Sequence, residues 1–342
     1  MRYFCVMIEH NISLKPYNTF GIDVKAKSFG RFESIEELET LLSERDTETP
    51  IFILGGGSNV LLTQDLPFFV IKNEISGIEV VHETEKMIQL KVGSGVEWHS
   101  FVRYSVERGW GGIENMSLIP GSVGASPMQN IGAYGAEMKD TFVSLEAFHI
   151  ESLELHQFTK EQCEFGYRES VFKRALKNQY VIVSVTYQLL KNPIINTTYG
   201  AIQSEIEVMG VEEITVDTVS QAVMNIRRSK LPDPKFLGNA GSFFKNPVVS
   251  KEVFAQLAQN YPDAPHYPQE SGEEKLAAGW LVEKAGWKGK RVGNCGVHEK
   301  QALVLVNYGE ATGSEIYDLS TVIIEDVQSK FGVTLEREVN IL

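Results

Sequence analysis

Behind Ser34-Ile35-Glu36-Glu37, a serine-to-glutamate capping box, Leu38, Leu41 and Leu42 recur at helical spacing, so a helix is expected there. A polar loop leads to Pro50 and the apolar run 51–54, which reads as a buried strand feeding Gly55-Gly56-Gly57-Ser58-Asn59. Residues 68–71, behind Pro67, read as another strand, and the first seventy residues predict a small β-α-β unit. Alternation returns over 79–92, and residues 97–108 place Trp98, Phe101 and Val102 on one helical face. Residues 109–135, rich in glycine and small side chains, have little periodicity, whereas 142–150 and 180–190 read as strands. Asn192-Pro193 breaks the pattern and predicts a boundary.

Beyond it, Val216, Val219, Val223 and Ile226 mark an amphipathic helix ending at Arg227-Arg228-Ser229-Lys230, where basic residues suit a helix C-terminus. A second α+β unit follows, with helices expected over 251–259, 273–285 and 314–330. Strands are expected over 302–307 and from 333 toward 342. No internal repeat or low-complexity tract is present.

A length of 342 residues exceeds one ordinary core, so two or three domains are expected. The formal net charge of −13 argues against a general nucleic-acid or anionic-membrane surface. No apolar run approaches the roughly 18 residues that span a bilayer. The apolar start is interrupted by Glu9 and His10 and carries no cleavage pattern. Cys5, Cys163 and Cys295 are too few and too widely spaced for a disulfide framework or a metal pair. A reduced, cytoplasmic protein is the expectation.

Three loops carry the candidate chemistry. Residues 55–59 follow a strand, where backbone amides commonly cradle phosphate, but a bare triple glycine reads first as a tight turn. They fit neither the dinucleotide fingerprint nor the Walker loop. The second loop, Ile119-Pro120-Gly121-Ser122-Val123-Gly124-Ala125-Ser126 with Gln129-Asn130-Ile131-Gly132-Ala133-Tyr134-Gly135, frees many N–H groups that need partners. A large ligand with a pyrophosphate would satisfy them; so would close packing of backbone between subdomains. A Cβ at Gly124 or Gly132 is expected to take up ligand space. The third, Gly238-Asn239-Ala240-Gly241-Ser242-Phe243-Phe244-Lys245-Asn246-Pro247, sets a hydroxyl, an ammonium and an amide beside a flexible turn, or is a glycine turn before a strand burying two phenylalanines.

Together with Pro16-Tyr17-Asn18-Thr19-Phe20-Gly21, Phe165-Gly166-Tyr167-Arg168-Glu169-Ser170, Lys230-Leu231-Pro232-Asp233-Pro234 and Leu335-Glu336-Arg337-Glu338-Val339, these loops resemble the bacterial UDP-N-acetylenolpyruvoylglucosamine reductases over nearly the whole chain. The resemblance implies an α+β fold: an FAD-binding domain of the vanillyl-alcohol-oxidase (PCMH) type with two subdomains, plus a separate α+β substrate-binding domain. The expected ranges are 1–190 for the first (subdomains about 1–72 and 73–190), 191–229 for a connector, 230–334 for the second and 335–342 for a terminal strand. It also implies NADPH-dependent reduction of UDP-N-acetylglucosamine enolpyruvate to UDP-N-acetylmuramate in peptidoglycan precursor synthesis, by a cytoplasmic monomer holding FAD non-covalently.

By the same resemblance, Tyr17, Asn18, Thr19, residues Gly55, Gly56, Gly57, Ser58 and Asn59, and Pro120, Gly121, Ser122, Gly124, Ala125, Gln129, Asn130, Gly132, Ala133, Tyr134 and Gly135 hold the cofactor. Tyr199 heads the tyrosine-bearing loop of the longer family type, and Lys230, Lys245, Asn246, Lys288 and Gln301 touch substrate. Arg168 stabilises a carboxylate, Glu338 donates a hydrogen bond to it and Ser242 supplies a proton. Ser126 and Met128 depart from the family's usual alanine and isoleucine, and Arg337 and Asn340 give the last motif unusual flanks. An FAD oxidase of the same fold, which lacks support because no histidine or cysteine flavin-attachment site is visible, and a non-redox nucleotide-sugar binder are the alternatives.

Overall fold

Ser34 starts the first helix by half of the expected capping box: its hydroxyl accepts the Glu37 amide, while the Glu37 carboxylate accepts the Glu33 amide instead of that of Ser34, and Ile35–Glu44 follows. A computed structural model describes residues 7–342; Cys5 and the rest of residues 1–6 lie outside the described residues. The described chain forms two compact units, neither of them continuous in sequence. One comprises residues up to 12, 26–56 and 67–229; the other comprises 13–25, 57–66 and 230–342. The continuous ranges expected from the sequence therefore do not follow the units.

In the first unit, Glu9–Ser13, Lys25–Phe32, Leu66–Asn73 and Ile51–Leu54 form a four-stranded sheet in that order, the last two parallel. Leu38, Leu41 and Leu42 of the first helix are buried in one cluster with Phe32, Phe69, Ile71, Phe148 and Val181. An antiparallel sheet of five strands follows, in the order Leu155–Thr159, Phe142–His149, Tyr180–Leu190, Met87–Gly93, Ile78–Glu83. Leu145, Val185 and Val92 lie in register across its three central strands, all buried, as period-2 alternation demands.

The Trp98–Val106 helix belongs to the same buried cluster. Trp98 and Phe101 meet Tyr187 with ring centroids 5.9 and 5.0 Å apart. Each large side chain buried here stabilises by about 2–3 kcal/mol, so Phe101→Ala is the substitution that would loosen this helix. Cys163 is buried beneath the sheet, and burial pushes its thiol up to about 12. Gly200–Met209 packs on Val216–Lys230 through Ile202, Ile206, Val219, Val223 and Ile226. Tyr199 closes the non-helical stretch that follows Leu190 and is the N-cap residue of the first of these helices.

In the second unit, Phe243 and Phe244 are both buried, the former edge-on to Phe20. Residues 273–285, expected as one helix, divide into a Glu274–Leu276 strand and an Ala278–Lys284 helix, because Glu274 and Lys275 pair with Val249 and Val248. The terminal strand is confined to Asn340–Ile341, parallel to Val60–Leu61. Thr312 and Glu315 form the capping box that starts the long Gly313–Phe331 helix.

Candidate active site

The two glycine loops of the first unit press on each other. A Cβ built on Gly56 would stand 2.7 Å from the Gly121 Cα, and one on Gly55 would stand 2.7 Å from the Ser122 hydroxyl oxygen. The Pro120–Ser126 stretch is pinned by the Trp98 amide donating to the Gly121 carbonyl (2.9 Å), and by Val123 and Gly124 donating to Val96 and Ser94 (both 2.8 Å). Ser126, buried, donates to the Val123 carbonyl at 2.7 Å and shares a hydrogen bond of the same length with the Tyr187 hydroxyl. Its hydroxyl thus ties the loop to the sheet, which the alanine usual in the family would not do. Close packing also explains Gly124 and Gly132: added Cβ atoms would strike Ser94 (2.6 Å) and the Ala136 carbonyl (2.7 Å), not open ligand space. That corrects the reason expected from the sequence, since the obstacle is the protein itself.

Packing leaves several donors over. Among the described residues, the amides of Gly55, Gly56, Gly121 and Ser122 donate to no carbonyl or side chain. Successive unpartnered amides on two touching loops, one of them at the exposed Gly56, form a donor set that suits a phosphate or pyrophosphate. The expected cofactor therefore fits the residues present. Asn130 serves the loop instead: it is buried, donates to Glu137 and the Gly166 carbonyl, and accepts the Lys139 amide. Pro120, Ala125, Gln129, Ala133 and Gly135 lie along the same loop, with Pro120, Ala125 and Gly135 exposed.

Residues 165–170 are laced to it. Arg168 donates to the Gly132 carbonyl (2.9 Å), Ser170 to that of Met128 (2.7 Å), and the Gly166 carbonyl accepts Asn130 (3.1 Å). Arg168 holds φ +56°, a left-handed conformation uncommon for a residue with a Cβ and a typical mark of functional positions. Its guanidinium is half-buried, 5.4 Å from the Tyr167 ring.

Tyr134, also left-handed at φ +50°, stands edge-on to Tyr199 with centroids 5.3 Å apart, while Tyr199 is 49% exposed. Asn115 closes this corner by donating to the carbonyls of Tyr134 (3.0 Å) and Asn196 (3.1 Å). Arg227 is the residue the sequence concealed, because its helix-end position already explained a positive charge. Its guanidinium is the charged neighbour of the Tyr134 hydroxyl, and its enclosed Nε has no partner among the described residues. Burial lowers the Arg227 proton affinity, opposed by Tyr134; burial raises that of the Tyr134 hydroxyl. An enclosed N–H without an acceptor costs about 1–3 kcal/mol, which an incoming oxygen would recover.

In the second unit, the Tyr17–Thr19 turn and Gly57 fit together: the Thr19 amide donates to the Gly57 carbonyl (3.0 Å), and a Cβ on Gly57 would collide with the Tyr17 carbonyl. Asn18 is consumed by that turn, bonding Leu14 and Ile22, while Tyr17 and Ser58 stay half-exposed. Ser242 is exposed on an isolated bridge to Val304. Glu338 is half-buried beside it in the chain's hydrogen-bonding order: its amide donates to the Phe243 carbonyl (2.8 Å), and its carbonyl accepts Asn59 (3.3 Å). Ser242 and Glu338 are thus brought within one residue of a shared backbone pairing. Arg337 is drawn away to Ser320 and Thr321 (2.7 and 2.6 Å), and Asn340 donates to the Asn59 carbonyl.

The expected substrate lysines differ in their partners. Lys245 pairs with Glu336 and Lys288 with Glu283 (2.9 Å), whereas Lys230 ends its helix exposed. Asn246 caps the Ala278–Lys284 helix by accepting the Ala278 amide (3.0 Å), and Gln301 turns its oxygen to the Leu303 amide (3.4 Å).

Comparison with known proteins bears on this geometry. A family model described as UDP-N-acetylenolpyruvoylglucosamine reductase, C-terminal domain, matches residues 233–342, and one described as FAD binding domain matches 27–151. The chain is 51% identical over 336 residues to the UDP-N-acetylenolpyruvoylglucosamine reductase of Flavobacterium johnsoniae, covering 98% of this chain and 99% of that protein. The same-named protein of Pseudomonas putida is 45% identical over 337 residues, with the same coverage. The fold matches the solved UDP-N-acetylenolpyruvylglucosamine reductase of Thermus caldophilus at a TM-score of 0.67, with 23% identity over 98% of this chain and 99% of that one. The architecture is therefore an FAD-binding domain together with the family's C-terminal domain.

Proposed function

Since the chain belongs to the UDP-N-acetylenolpyruvoylglucosamine reductases, we propose that it reduces UDP-N-acetylglucosamine enolpyruvate to UDP-N-acetylmuramate, with NADPH as reductant, in peptidoglycan synthesis and hence cell-wall biogenesis, cell shape and division. Full-length identity of 51% carries this reading, because it spans both the cofactor loops and the Ser242 and Glu338 segments. FAD, when bound, relays hydride between NADPH and the vinyl carbon. The amides of Gly55, Gly56, Gly121 and Ser122 hold its pyrophosphate, and the Arg227 Nε–H is the donor left for a ligand oxygen in the tyrosine corner.

The chain's own residues do the rest. Arg168, permanently charged and already oriented through Gly132, stabilises the substrate carboxylate as negative charge spreads onto it. Glu338, protonated, donates a hydrogen bond to that carboxylate. Ser242 gives its hydroxyl proton to the substrate carbon next to the site of hydride addition; the carbanion is basic enough to take it. Tyr199 covers the nucleotide sugar and excludes water, with Lys230, Lys245, Asn246, Lys288 and Gln301 contributing contacts from residues 230–334. No helix among the described residues is long and apolar enough to cross a membrane, and we place the enzyme in the cytoplasm as a monomer.

The purified protein should be yellow and should oxidise NADPH rapidly only when UDP-N-acetylglucosamine enolpyruvate is present. A colourless protein that still binds the nucleotide sugar would replace this reading with a non-redox binder; oxygen-driven turnover without NADPH would replace it with an oxidase.

A further inference from the structure

The first turn of the Trp98–Val106 helix grips the loop that precedes the glycines at two points. The Trp98 amide takes the Gly121 carbonyl (2.9 Å), and the ring of His99 takes Leu118, whose amide donates to Nδ1 at 3.0 Å. Leu118 sits at φ +57°, a conformation that a branched aliphatic residue adopts only when something holds it. Between the two anchors lie Ile119, whose amide reaches the Met116 carbonyl only at 3.4 Å, and Pro120, which has no amide. The anchor at Leu118 therefore fixes how the chain enters Gly121 and Ser122, whose amides have no acceptor among the described residues.

We propose that His99 is a positioning residue for cofactor binding: its neutral Nδ1 holds Leu118 in the left-handed turn, and protonation of that nitrogen releases the loop and the cofactor with it. The inference rests on the assignment of the Gly121 and Ser122 amides to the FAD pyrophosphate. An imidazolium has a proton on both nitrogens, so Nδ1 can no longer accept, and two N–H groups then oppose each other.

The surroundings keep the ring neutral. His99 is half-buried, and burial is the main cause of a proton affinity below the ordinary value of 6.5. Arg103 on its own helix and Arg227 and Arg228 on the Val216–Lys230 helix push the same way, against Glu97. Because the held state prefers the neutral ring, its contribution is complete above the ordinary histidine value. It declines as pH falls below that value and is gone once pH passes the lowered one.

Three proteins decide the matter: the parent, His99→Asn, whose Oδ1 occupies the Nδ1 position but takes no proton in this range, and His99→Leu, which has no acceptor. Each is purified with its flavin and ultrafiltered between pH 8 and 5, with free flavin measured in the filtrate. Exchange of the Leu118 amide is followed by NMR in the flavin-free proteins. The parent should retain flavin at pH 7.5 and release it as pH falls below 6.5. His99→Asn should retain it throughout, and His99→Leu should bind about tenfold more weakly at pH 7.5, the value of one buried acceptor. The Leu118 amide should exchange slowly in the parent and His99→Asn at pH 7.5 and quickly in His99→Leu. Identical acid release by the parent and His99→Asn would overturn the proposal, as would parent-like binding and exchange in His99→Leu. If the parent carries no flavin at any pH, the cofactor assignment itself has failed. The exchange data, which need no flavin, then still decide whether His99 holds the loop.

Discussion

Ser242 and Gly124 act at the scale of single side chains, one by what its oxygen carries and the other by what it lacks. Ser242→Ala keeps the fold, since the side chain is exposed. NADPH should bleach the flavin of this variant at the parental rate, while return of colour with the enolpyruvyl substrate slows roughly 10²- to 10⁴-fold, the usual worth of a positioned acid. Stopped-flow absorbance separates the two; an unchanged second phase would move the proton to another donor, with Glu338 first. Gly124→Val forces a side chain against Ser94, so it should destabilise by about 1–3 kcal/mol even in flavin-free protein. Thermal melts of the two apoproteins measure that. Equal melting would restore the idea that only ligand space was at stake.

At the scale of elements, the tyrosine corner couples a helix start to a loop. Tyr199→Ala removes the ring that meets Tyr134 but leaves the backbone carbonyl that accepts the Ile202 amide (2.8 Å), so the Gly200–Met209 helix should persist. The Michaelis constant for the sugar substrate should rise far more than reduction by NADPH slows; equal losses in both would make the tyrosine merely structural. Tyr134→Phe keeps the ring contact and deletes the hydroxyl that meets Arg227. It takes the nearest polar group from a guanidinium whose buried Nε already has no partner, and should cost about 1–3 kcal/mol by chemical denaturation. Flavin binding should narrow the gap between the two proteins if a ligand oxygen reaches Arg227.

For the whole molecule, the consequence is that each unit is assembled from distant stretches. Residues 57–66 are held in the second unit by the C-terminus: Asn340–Ile341 pairs with Val60–Leu61, and the Leu342 carbonyl accepts the Thr63 hydroxyl at 2.6 Å. A chain ending at Val339 retains Glu338 but loses that pairing. Amide exchange over 57–66 should speed up in it while exchange across the five-stranded sheet stays as it was. Acceleration everywhere would mean that the two units unfold as one.

The sequence by itself determined what is local. The Ser34 cap, the Trp98–Phe101–Val102 face, the Tyr180–Leu190 strand and the Val216–Lys230 helix were all legible, because capping chemistry and side-chain periodicity act within a few residues. The ordered motifs likewise disclosed the family, since each is a short string of residue types. Tertiary structure decided what depends on residues far apart in the chain. Residues 274–276 became a strand because 248–249 lay beside them, against a local pattern that favoured a helix. The glycines of 55–57 and 121–132 were visible as turns or ligand loops, yet which of them spare room for Ser94 or Ala136 and which leave amides open follows only from the packed backbone. Arg227 and His99 were unreadable for the same reason. A basic residue at a helix end and a lone histidine have ordinary local explanations, and only burial against Tyr134 and Leu118 gives them work.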